Sequence, residues 1–260
     1  MDEMLIHQLG DTLYGALTGR TTIAPLTETY PDITIEDAYK ISLHLLDRRL
    51  AAGEKVIGKK IGVTSNAVMD MLDVRQPDFG FMTDAMRYDG EMPISRTLIQ
   101  PRAEGEIAFL LKKDLIGPGV TNEDVLAATE AVFPCFEVVD SRIRDWKIRI
   151  QDTVADNASC GLFTIDENAA IDPRKIDLVA CEMKVSKNGD VISTGTGAAA
   201  MGSPVNCVTW LANTLGEFGI TLNAGDIILS GSLVPLEPVV AGDVMTVQIK
   251  GMGECTVQFT

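Results

Sequence analysis

The chain has 260 residues, with 22 Lys and Arg against 37 Asp and Glu, a formal net charge of −15, and only two histidines. This acidity excludes nucleic acid as a partner, because such binding depends on neutralising phosphates, and it disfavours an anionic membrane surface. Hydrophobic residues make up 46% and charged residues 23%, which is typical of a globular protein. Because histidine is scarce, we expect carboxylates and lysines to perform any acid–base or metal chemistry.

The cysteines and the N-terminal residues predict a cytoplasmic protein without a membrane span. The five cysteines are odd in number, widely spaced and without a C-x-x-C pair, so neither a disulfide framework nor a zinc site is expected. Residues 1–4 are acidic where a secretory signal would be positive. No apolar run approaches the roughly 20 residues of a transmembrane helix.

Hydrophobic periodicity predicts helices at the start of the chain. Leucines at positions 5, 9, 13 and 17 form one apolar stripe that ends at Gly19. A second stripe follows a capping box at Thr34 and ends near Gly53. Two later helices are expected to begin at Thr121 and at Ser203, the latter followed by a proline in the first helical position.

Short β-prone runs separated by Gly, Pro and Asn fill the region after the first two helices. Asn188-Gly189 indicates a two-residue hairpin, and residues 251–253 indicate a second one. Few helices among many strands predict the α+β class, with a largely antiparallel or mixed sheet, in one domain over residues 1–260 with a helical part at 1–53. The predicted strands are 56–61, 107–111, 132–139, 183–186, 191–194, 227–229, 244–249 and 256–259.

Two glutamates are spaced for one face of a strand. Because strand side chains alternate, Glu104 and Glu106 are expected to project the same way, about 7 Å apart. Carboxylates at this spacing repel each other unless solvent or a cation separates them. A hard cation such as Mg²⁺ or Mn²⁺ takes oxygen ligands, so the pair indicates either a metal site or a solvated strand edge.

A third glutamate lies in an apolar strand. Glu137 is flanked by hydrophobic residues on both predicted faces, where an unpaired carboxylate is costly. Two interpretations remain open: an ion pair with Arg102 or Arg142, or one facial metal site shared with the other two glutamates.

Adjacent lysines occur in another apolar strand. Lys59 and Lys60 project to opposite faces, so one of them is expected to point inward. Burial lowers the pKa of a lysine, which suits it to carry a proton near neutrality. Pairing with an acidic neighbour is the alternative.

Basic residues cluster around Trp146. Arg142, Arg144, Lys147 and Arg149 are interpreted as a solvated, partly paired face. The alternatives are a patch that attracts an anionic substrate or one that meets an acidic patch on another subunit.

Five short segments, taken together and in order, resemble a known enzyme family over essentially the whole chain. They resemble the 2-oxopent-4-enoate (2-hydroxypenta-2,4-dienoate) hydratases of the catechol meta-cleavage pathway, relatives of the 4-oxalocrotonate decarboxylases in the fumarylacetoacetase-like superfamily. The segments are GKKIGVTS at 58–65, QPDFG at 76–80, EGE at 104–106, EVVDSR at 137–142 and VADNAS at 154–159.

The resemblance implies a fold and a metal site. The fold is a fumarylacetoacetase-like mixed β-sheet roll with flanking helices and an N-terminal helical part. The site is a divalent cation, Mg²⁺ or Mn²⁺, held by three carboxylates that match Glu104, Glu106 and Glu137.

The resemblance also implies roles for three other residues. The family's catalytic lysine matches Lys60, and a substrate-pocket serine matches Ser159. The hydratases carry an acid at the position of Asp78, whereas the decarboxylases have an apolar residue there. Asp78 therefore favours a hydratase that adds water to a small 2-hydroxydienoate, with Lys60 and Asp78 as catalytic residues.

Alternatives and partners follow from the same resemblance. A 4-oxalocrotonate decarboxylase is the alternative enzyme, and a non-catalytic partner subunit of that decarboxylase is the alternative outside catalysis. A homo-oligomer is expected, together with a possible complex with the decarboxylase. Carbon–carbon hydrolases of the superfamily use a histidine to activate water, and His7 and His44 lie far from the metal motif in sequence, so hydrolysis is not expected.

Overall fold

Eight α-helices flank two β-sheets in the computed structural model, which describes residues 1–260 except for the side chains of residues 67, 71 and 72. The helices are α1 (Glu3–Gly19), α2 (Leu26–Thr29), α3 (Ile35–Ala51), α4 (Asn66–Leu72), α5 (Ile94–Thr97), α6 (Asn122–Ala128), α7 (Ile150–Ala155) and α8 (Pro204–Glu217). The strands are β1 (Val56–Gly62), β2 (Asp78–Thr83), β3 (Glu91–Met92), β4 (Arg102–Leu111), β5 (Thr129–Val139), β6 (Leu162–Ile165), β7 (Glu182–Lys187), β8 (Asp190–Thr196), β9 (Ile227–Leu229), β10 (Glu237–Pro238), β11 (Val244–Ile249) and β12 (Gly253–Phe259).

The predicted helices and their caps are confirmed. Helices α1 and α3 coincide with the two N-terminal stripes, and they pack against each other. Thr34 and Asp37 form the reciprocal capping box that begins α3, and Thr121 caps α6 in the same way. Ser203 caps α8. Among the described residues, no helix is both long and apolar enough to cross a bilayer.

The first sheet has the strand order β2-β1-β9-β4-β5-β6, with β10 paired to β4. Only β1 and β9 run parallel among its described pairs. The register of β4 on β5 places Glu104 directly opposite Glu137 and Glu106 opposite Cys135. Pairing alone therefore brings the three glutamates of two distant segments onto one face of the sheet.

The second sheet has the order β3-β12-β11-β7-β8 and contains both predicted hairpins. Asn188 and Gly189 join β7 to β8, both with positive φ (53° and 92°), as a type I′ turn requires. This sheet packs on the face of β4 opposite the glutamates: a Cβ added to Gly105 would lie 3.0 Å from Met183 and from Val185. One face of β4 thus packs against the second sheet, and the other face carries the carboxylates.

The mixed sheets and flanking helices match the expected α+β class. Strand β2 was not predicted, because Pro77 precedes it and Pro-Asp is typical of a turn. Asp78 instead begins a buried strand that pairs antiparallel with β1, with Asp78 opposite Gly62. The five cysteines are all buried and free, as expected.

Candidate active site

The three glutamates converge at one buried point. Carboxylate oxygens of Glu104, Glu106 and Glu137 lie within 4.8 Å of one another. The side chains are almost completely inaccessible, with residue exposures of 5%, 0% and 0%. The solvated strand edge that the sequence left open for the first two glutamates is therefore wrong.

The hydrogen bonding of these carboxylates fits a hard cation. Glu106 Oε2 accepts a hydrogen bond of 2.7 Å from the backbone N–H of Gly231. Glu106 Oε1 and Glu137 Oε2 are buried and accept no hydrogen bond that the structure describes, and Glu137 Oε1 lies 3.2 Å from the Lys60 ammonium. Buried acceptors without donors are costly, and a divalent cation coordinated by oxygen ligands compensates them.

Burial and mutual repulsion raise the pKa of Glu104 and of Glu106. Burial, followed by the charge of Glu137, raises the pKa of Glu104 to about 8. Burial and the neighbouring Glu104 likewise raise the pKa of Glu106 well above its usual range. The cluster thus favours binding positive charge.

The two adjacent lysines point to opposite faces of β1, as predicted. Lys59 Nζ lies 2.5 Å from Asp226 Oδ2 and donates to the backbone carbonyl of Thr221 at 3.3 Å. Lys60 Nζ lies 3.2 Å from Glu137 Oε1, on the carboxylate side. Each lysine therefore has an acidic partner, and only Lys60 faces the glutamate cluster.

The expected lowering of the lysine pKa is wrong for this arrangement of charges. Burial lowers the pKa of Lys60, but the charges of Glu137 and Asp78 outweigh it and raise the pKa above the usual value. The alternative left open for Glu137, an ion pair with Arg102 or Arg142, is also wrong. Lys60 occupies that place, Arg142 pairs with Asp156, and the Arg102 guanidinium lies over the Trp146 ring at 4.7 Å.

Asp78 lies beside Lys60. A side chain at Gly62 would collide with Asp78 Oδ1 and stand 3.2 Å from Lys60 Nζ, so the glycine leaves room for both groups. Asp78 Oδ2 accepts a hydrogen bond of 3.1 Å from the Thr153 hydroxyl, whereas Oδ1 has no described partner. Burial raises the pKa of Asp78, and the charge of Lys60 partly opposes the shift.

Ser159 ends a strained turn that sequence reasoning did not identify. Asn157, Ala158 and Ser159 all have positive φ (55°, 52° and 51°), a conformation uncommon for residues other than glycine. The Asn157 carboxamide holds this turn against β2: it accepts from the Phe81 N–H at 2.8 Å and donates to the Phe81 carbonyl at 2.9 Å. Gly80 permits the approach, since a Cβ there would collide with the Asn157 carbonyl.

The predicted basic face is only partly correct. Arg142 is buried, and its Nε donates to Asp156 Oδ1 at 2.5 Å, which fixes the residue preceding the strained turn. Arg144, Lys147 and Arg149 are exposed. Arg142 is buried because Asp156 and backbone carbonyls, including that of Cys160, satisfy its donors.

A small cavity lies between Lys60, Asp78, Glu104 and Ser159. Its free space of about 20 Å³ is the room of roughly one water molecule. No histidine is among the described residues that line it. The lining comprises polar Lys60, Asp78, Glu104, Thr153 and Ser159, apolar Val63, Val68, Val139, Trp146 and Leu236, and the small residues Gly62 and Ala158.

A solved structure shares the whole architecture. The fold is similar to that of 4-oxalocrotonate decarboxylase from Pseudomonas putida G7, with a TM-score of 0.94 and 34% sequence identity over 100% of this chain and 99% of that chain. The decarboxylase structure contains magnesium and adipate.

Sequence comparison places the chain among hydratases. Residues 60–260 match the family described as fumarylacetoacetate (FAA) hydrolase C-terminal. The chain is 71% identical to 2-hydroxypent-2,4-dienoate hydratase of Pseudomonas putida, over 85% of this chain and 100% of the relative. It is 61% identical to 2-hydroxyhexa-2,4-dienoate hydratase of Comamonas testosteroni, over 100% of this chain and 99% of the relative. The chain therefore belongs to the 2-hydroxypenta-2,4-dienoate hydratase family of the fumarylacetoacetate hydrolase superfamily.

Proposed function

We propose that this chain is a metal-dependent hydratase that converts 2-hydroxypenta-2,4-dienoate into 4-hydroxy-2-oxopentanoate in the meta-cleavage degradation of aromatic compounds. The observation that carries the proposal is the burial of three converging glutamates, one of which, Glu104, lines a cavity together with Lys60 and Asp78. Relatives 71% and 61% identical are named as hydratases of penta- and hexadienoates, which supports the same reaction here.

Glu104, Glu106 and Glu137 hold the cation in this proposal, and the cation is Mg²⁺ or Mn²⁺. A site made only of carboxylate oxygens suits these hard ions better than softer metals. When bound, the cation supplies Lewis-acid stabilisation of negative charge on the substrate oxygens. The glutamates, packed on two paired strands, fix its position relative to Lys60.

Lys60 moves the proton of the first step. The C2 hydroxyl of the dienol loses a proton, C5 gains one, and the remaining carbon–carbon double bond lies between C3 and C4. The ammonium of Lys60, buried 3.2 Å from Glu137, donates the proton that C5 gains, and the resulting amine takes up the proton that the C2 hydroxyl loses, which restores the ammonium. A positioned proton carrier contributes roughly 10²–10⁴-fold to the rate.

Asp78 acts in the second step. The oxygen of water bonds to C4 of the unsaturated ketone, and a proton is delivered to C3. Asp78 orients or deprotonates this water through Oδ1, which has no described hydrogen-bond donor, while Thr153 anchors Oδ2. The raised pKa of Asp78 makes its carboxylate a better base than an exposed aspartate. Ser159, on the strained turn, binds the substrate.

Two alternatives remain weaker than hydration. A 4-oxalocrotonate decarboxylase on this fold is the alternative enzyme, and the structural likeness favours considering it. The chain is nevertheless only 34% identical to that decarboxylase, and it carries Asp78 where the decarboxylases are expected to have an apolar residue. A non-catalytic partner subunit need not keep three buried carboxylates and Lys60 together.

We further propose that the chain works in the cytoplasm as a homo-oligomer, with association with a 4-oxalocrotonate decarboxylase as a possible second assembly. Five free buried cysteines suit a reducing compartment. Light scattering coupled to size-exclusion chromatography tests the oligomer, and co-elution with the purified decarboxylase tests the complex. A monomer, or separate elution, contradicts the respective proposal.

A paired-substrate assay tests the function. The purified chain is incubated with 2-hydroxypenta-2,4-dienoate or with 4-oxalocrotonate, in each case with Mg²⁺ or Mn²⁺ and with or without chelator. We expect 4-hydroxy-2-oxopentanoate from the first substrate only with metal, and little CO₂ from the second. Preferential release of CO₂ identifies the decarboxylase, and no turnover of either substrate identifies a non-catalytic chain.

A further inference from the structure

Exposed basic side chains flank Trp146, which lines the cavity. Arg144 and Lys147 stand on either side of the tryptophan in sequence, and Arg149 is the N-cap residue of α7, four residues before Thr153, which also lines the cavity. The three basic residues are exposed, whereas the tryptophan is half-buried. We name Arg144, Lys147 and Arg149 the basic rim, because they belong to two segments that border the cavity.

Backbone geometry and two contacts hold Trp146 in place. Asp145 and Trp146 both have positive φ (59° and 56°), a conformation uncommon for residues other than glycine. The indole Nε1 donates to the Gln100 carbonyl at 3.1 Å, and the Arg102 guanidinium lies 4.7 Å from the centre of the ring. The indole is therefore fixed at the cavity, while the basic rim lies in solvent.

The basic rim carries charge that its acidic neighbours neutralise only weakly. Among the described residues, Lys147 alone of the three has an ion-pair partner, Asp145 at 3.9 Å, and this exposed pair contributes little. The buried Asp152 accepts from the backbone N–H of Arg149 at 2.9 Å, and not from its guanidinium. Residues 144–149 contain three basic residues and one acid, so this segment has a formal charge of +2.

Other exposed charges beside the cavity largely compensate one another. Helix α4 contributes to the lining and exposes Asp70, which is followed by Asp73, and both pair with Arg75, at 2.5 and 3.5 Å. On β10, Glu237 pairs with Lys187 at 3.2 Å. These two segments together have one acid in excess, so the basic rim is the positive part of this surface.

The sign of the basic rim is opposite to that of the protein as a whole. The chain has a net charge of −15, so at long range it repels a small carboxylate. Charges in water act over about 10 Å at 0.1 M salt, so an anion near Trp146 responds mainly to the basic rim. Inside the cavity, Lys60 is the one cationic side chain among the described lining residues. Positive charge thus lies both outside and inside the same cavity.

We infer that the basic rim captures the carboxylate of the substrate and guides it past Trp146 into the cavity. The basic rim then sets the rate of association and not the rate of the chemical step, because none of its three residues lines the cavity. This inference rests on the proposed function, whose substrate is a small organic anion.

The binding kinetics of an anion that cannot be hydrated test the inference. Magnesium-loaded protein is mixed with 2-oxopentanoate in a stopped-flow instrument, and tryptophan emission reports the binding of the ligand beside Trp146. For the triple variant Arg144→Gln, Lys147→Gln, Arg149→Gln, the association rate constant is expected to fall about tenfold at low ionic strength. This difference is expected to disappear at about 0.5 M salt, since salt screens exposed charges. The dissociation rate constant and kcat for the dienoate are expected to stay unchanged.

Two controls separate local charge from other effects. The triple variant Lys112→Gln, Lys113→Gln, Lys175→Gln removes three exposed charges away from the lining and lowers the net charge from −15 by three, to −18, as the rim variant does. It is expected to bind 2-oxopentanoate at nearly the native rate. The uncharged methyl ester of 2-oxopentanoate is expected to bind all three proteins equally fast. If the rim variant does not fold, its three single substitutions replace it, each expected to slow association about twofold.

The outcomes separate this inference from the proposed function. If the rim variant binds 2-oxopentanoate as fast as the control variant, the basic rim does not guide anions and the inference is overturned. If light scattering shows that the rim variant has lost its native oligomeric state, the basic rim is a contact between subunits, which also overturns the inference. If the native protein converts no dienoate but its association with 2-oxopentanoate depends on salt and on the basic rim, the hydratase assignment is wrong and the capture of carboxylates is supported.

Discussion

Lys60 Nζ lies 3.2 Å from Glu137 Oε1 in a fully buried ion pair. The pair joins the proposed proton carrier to a candidate metal ligand, although the two residues come from strands separated by β9 and β4 in the sheet. Lys59, the neighbour of Lys60 in sequence, makes a second buried ion pair, with Asp226, on the opposite face of β1. Two chemically identical side chains, adjacent in sequence, therefore have separable roles.

Lys60→Met is expected to lower turnover by roughly 10²–10⁴-fold while the protein still binds its metal, because the variant loses the proton carrier but keeps all three carboxylates. Steady-state kinetics and metal calorimetry measure the two effects. Full activity in this variant would show that Lys60 carries no catalytic proton.

Lys59→Met is the matched control. It leaves Asp226 buried without its cation, so the free energy of unfolding is expected to fall by about 3–5 kcal/mol. Urea denaturation measures this loss. Turnover per folded molecule is expected to remain unchanged, and a loss as large as that of Lys60→Met would contradict the separation of roles.

Glu137→Gln tests the metal site. The amide preserves the size of the side chain but removes its charge, so divalent-cation affinity is expected to fall by at least about 100-fold. Calorimetric titration with Mn²⁺ measures the change. Glu130→Gln on the exposed edge of the same strand is the control and is expected to bind normally. Equal affinity in both variants would remove Glu137 from the site.

The pH dependence of metal binding follows from Glu104. Its pKa of about 8 arises from burial and the charge of Glu137, and a cation binds the carboxylate form. Because the pKa of Glu106 is raised as well, binding at neutral pH must displace protons from the cluster, and affinity rises with pH. Calorimetry in buffers of different ionisation enthalpy is expected to detect more released protons near pH 6.5 than near pH 9. A metal affinity that does not change with pH, with no proton released on binding, would contradict this account.

The residue pattern within the strands was enough to predict part of this site. The two-residue period of a strand places Glu104 and Glu106 on one face, and the apolar neighbours of Glu137 indicate burial. The alternative that paired Glu137 with Arg102 or Arg142 is wrong because the partner of Glu137 depends on the order of strands. Strand β9, distant in sequence, pairs with both β1 and β4 and so places the strand of Lys60 in the same sheet as the glutamates.

Other parts of the site have little local signal in the sequence. Asp78 follows a proline and looks like a turn residue, yet pairing with β1 makes it the first residue of a buried strand. The left-handed turn at Asn157–Ser159 contains no glycine, and of its residues Asn157 alone has a propensity for that conformation, so the sequence predicts the turn only weakly. Tertiary hydrogen bonds from Asn157 to Phe81 hold that turn.

Asp78→Asn separates the two steps of the reaction. Ketonisation, followed by loss of dienol absorbance, is expected to persist because Lys60 is intact, whereas hydration is expected to slow by roughly 10²–10⁴-fold. Product analysis by proton NMR should then show accumulation of the unsaturated ketone. Asp84→Asn, at the exposed residue following β2, is the control. Normal hydration by Asp78→Asn would make Asp78 structural.

Asn157→Asp tests the hydrogen bonds that hold the strained turn. The carboxylate cannot donate to the Phe81 carbonyl, so we expect the free energy of unfolding to fall by about 1–3 kcal/mol. Urea denaturation measures this, and substrate KM is expected to rise because Ser159 is displaced. Asn168→Asp, in an exposed turn, serves as the control. An unchanged stability would show that the Phe81 contacts do not hold the turn.

The origin of the added oxygen tests metal-dependent hydration most directly. The purified chain is incubated with 2-hydroxypenta-2,4-dienoate and Mg²⁺ in ¹⁸O-labelled water, with and without chelator, and the ¹⁸O isotope shift at C4 of the product is read by carbon NMR. Our account predicts one labelled hydroxyl at C4 that appears only with metal. Product without label at C4, or equal labelling in the presence of chelator, would contradict it.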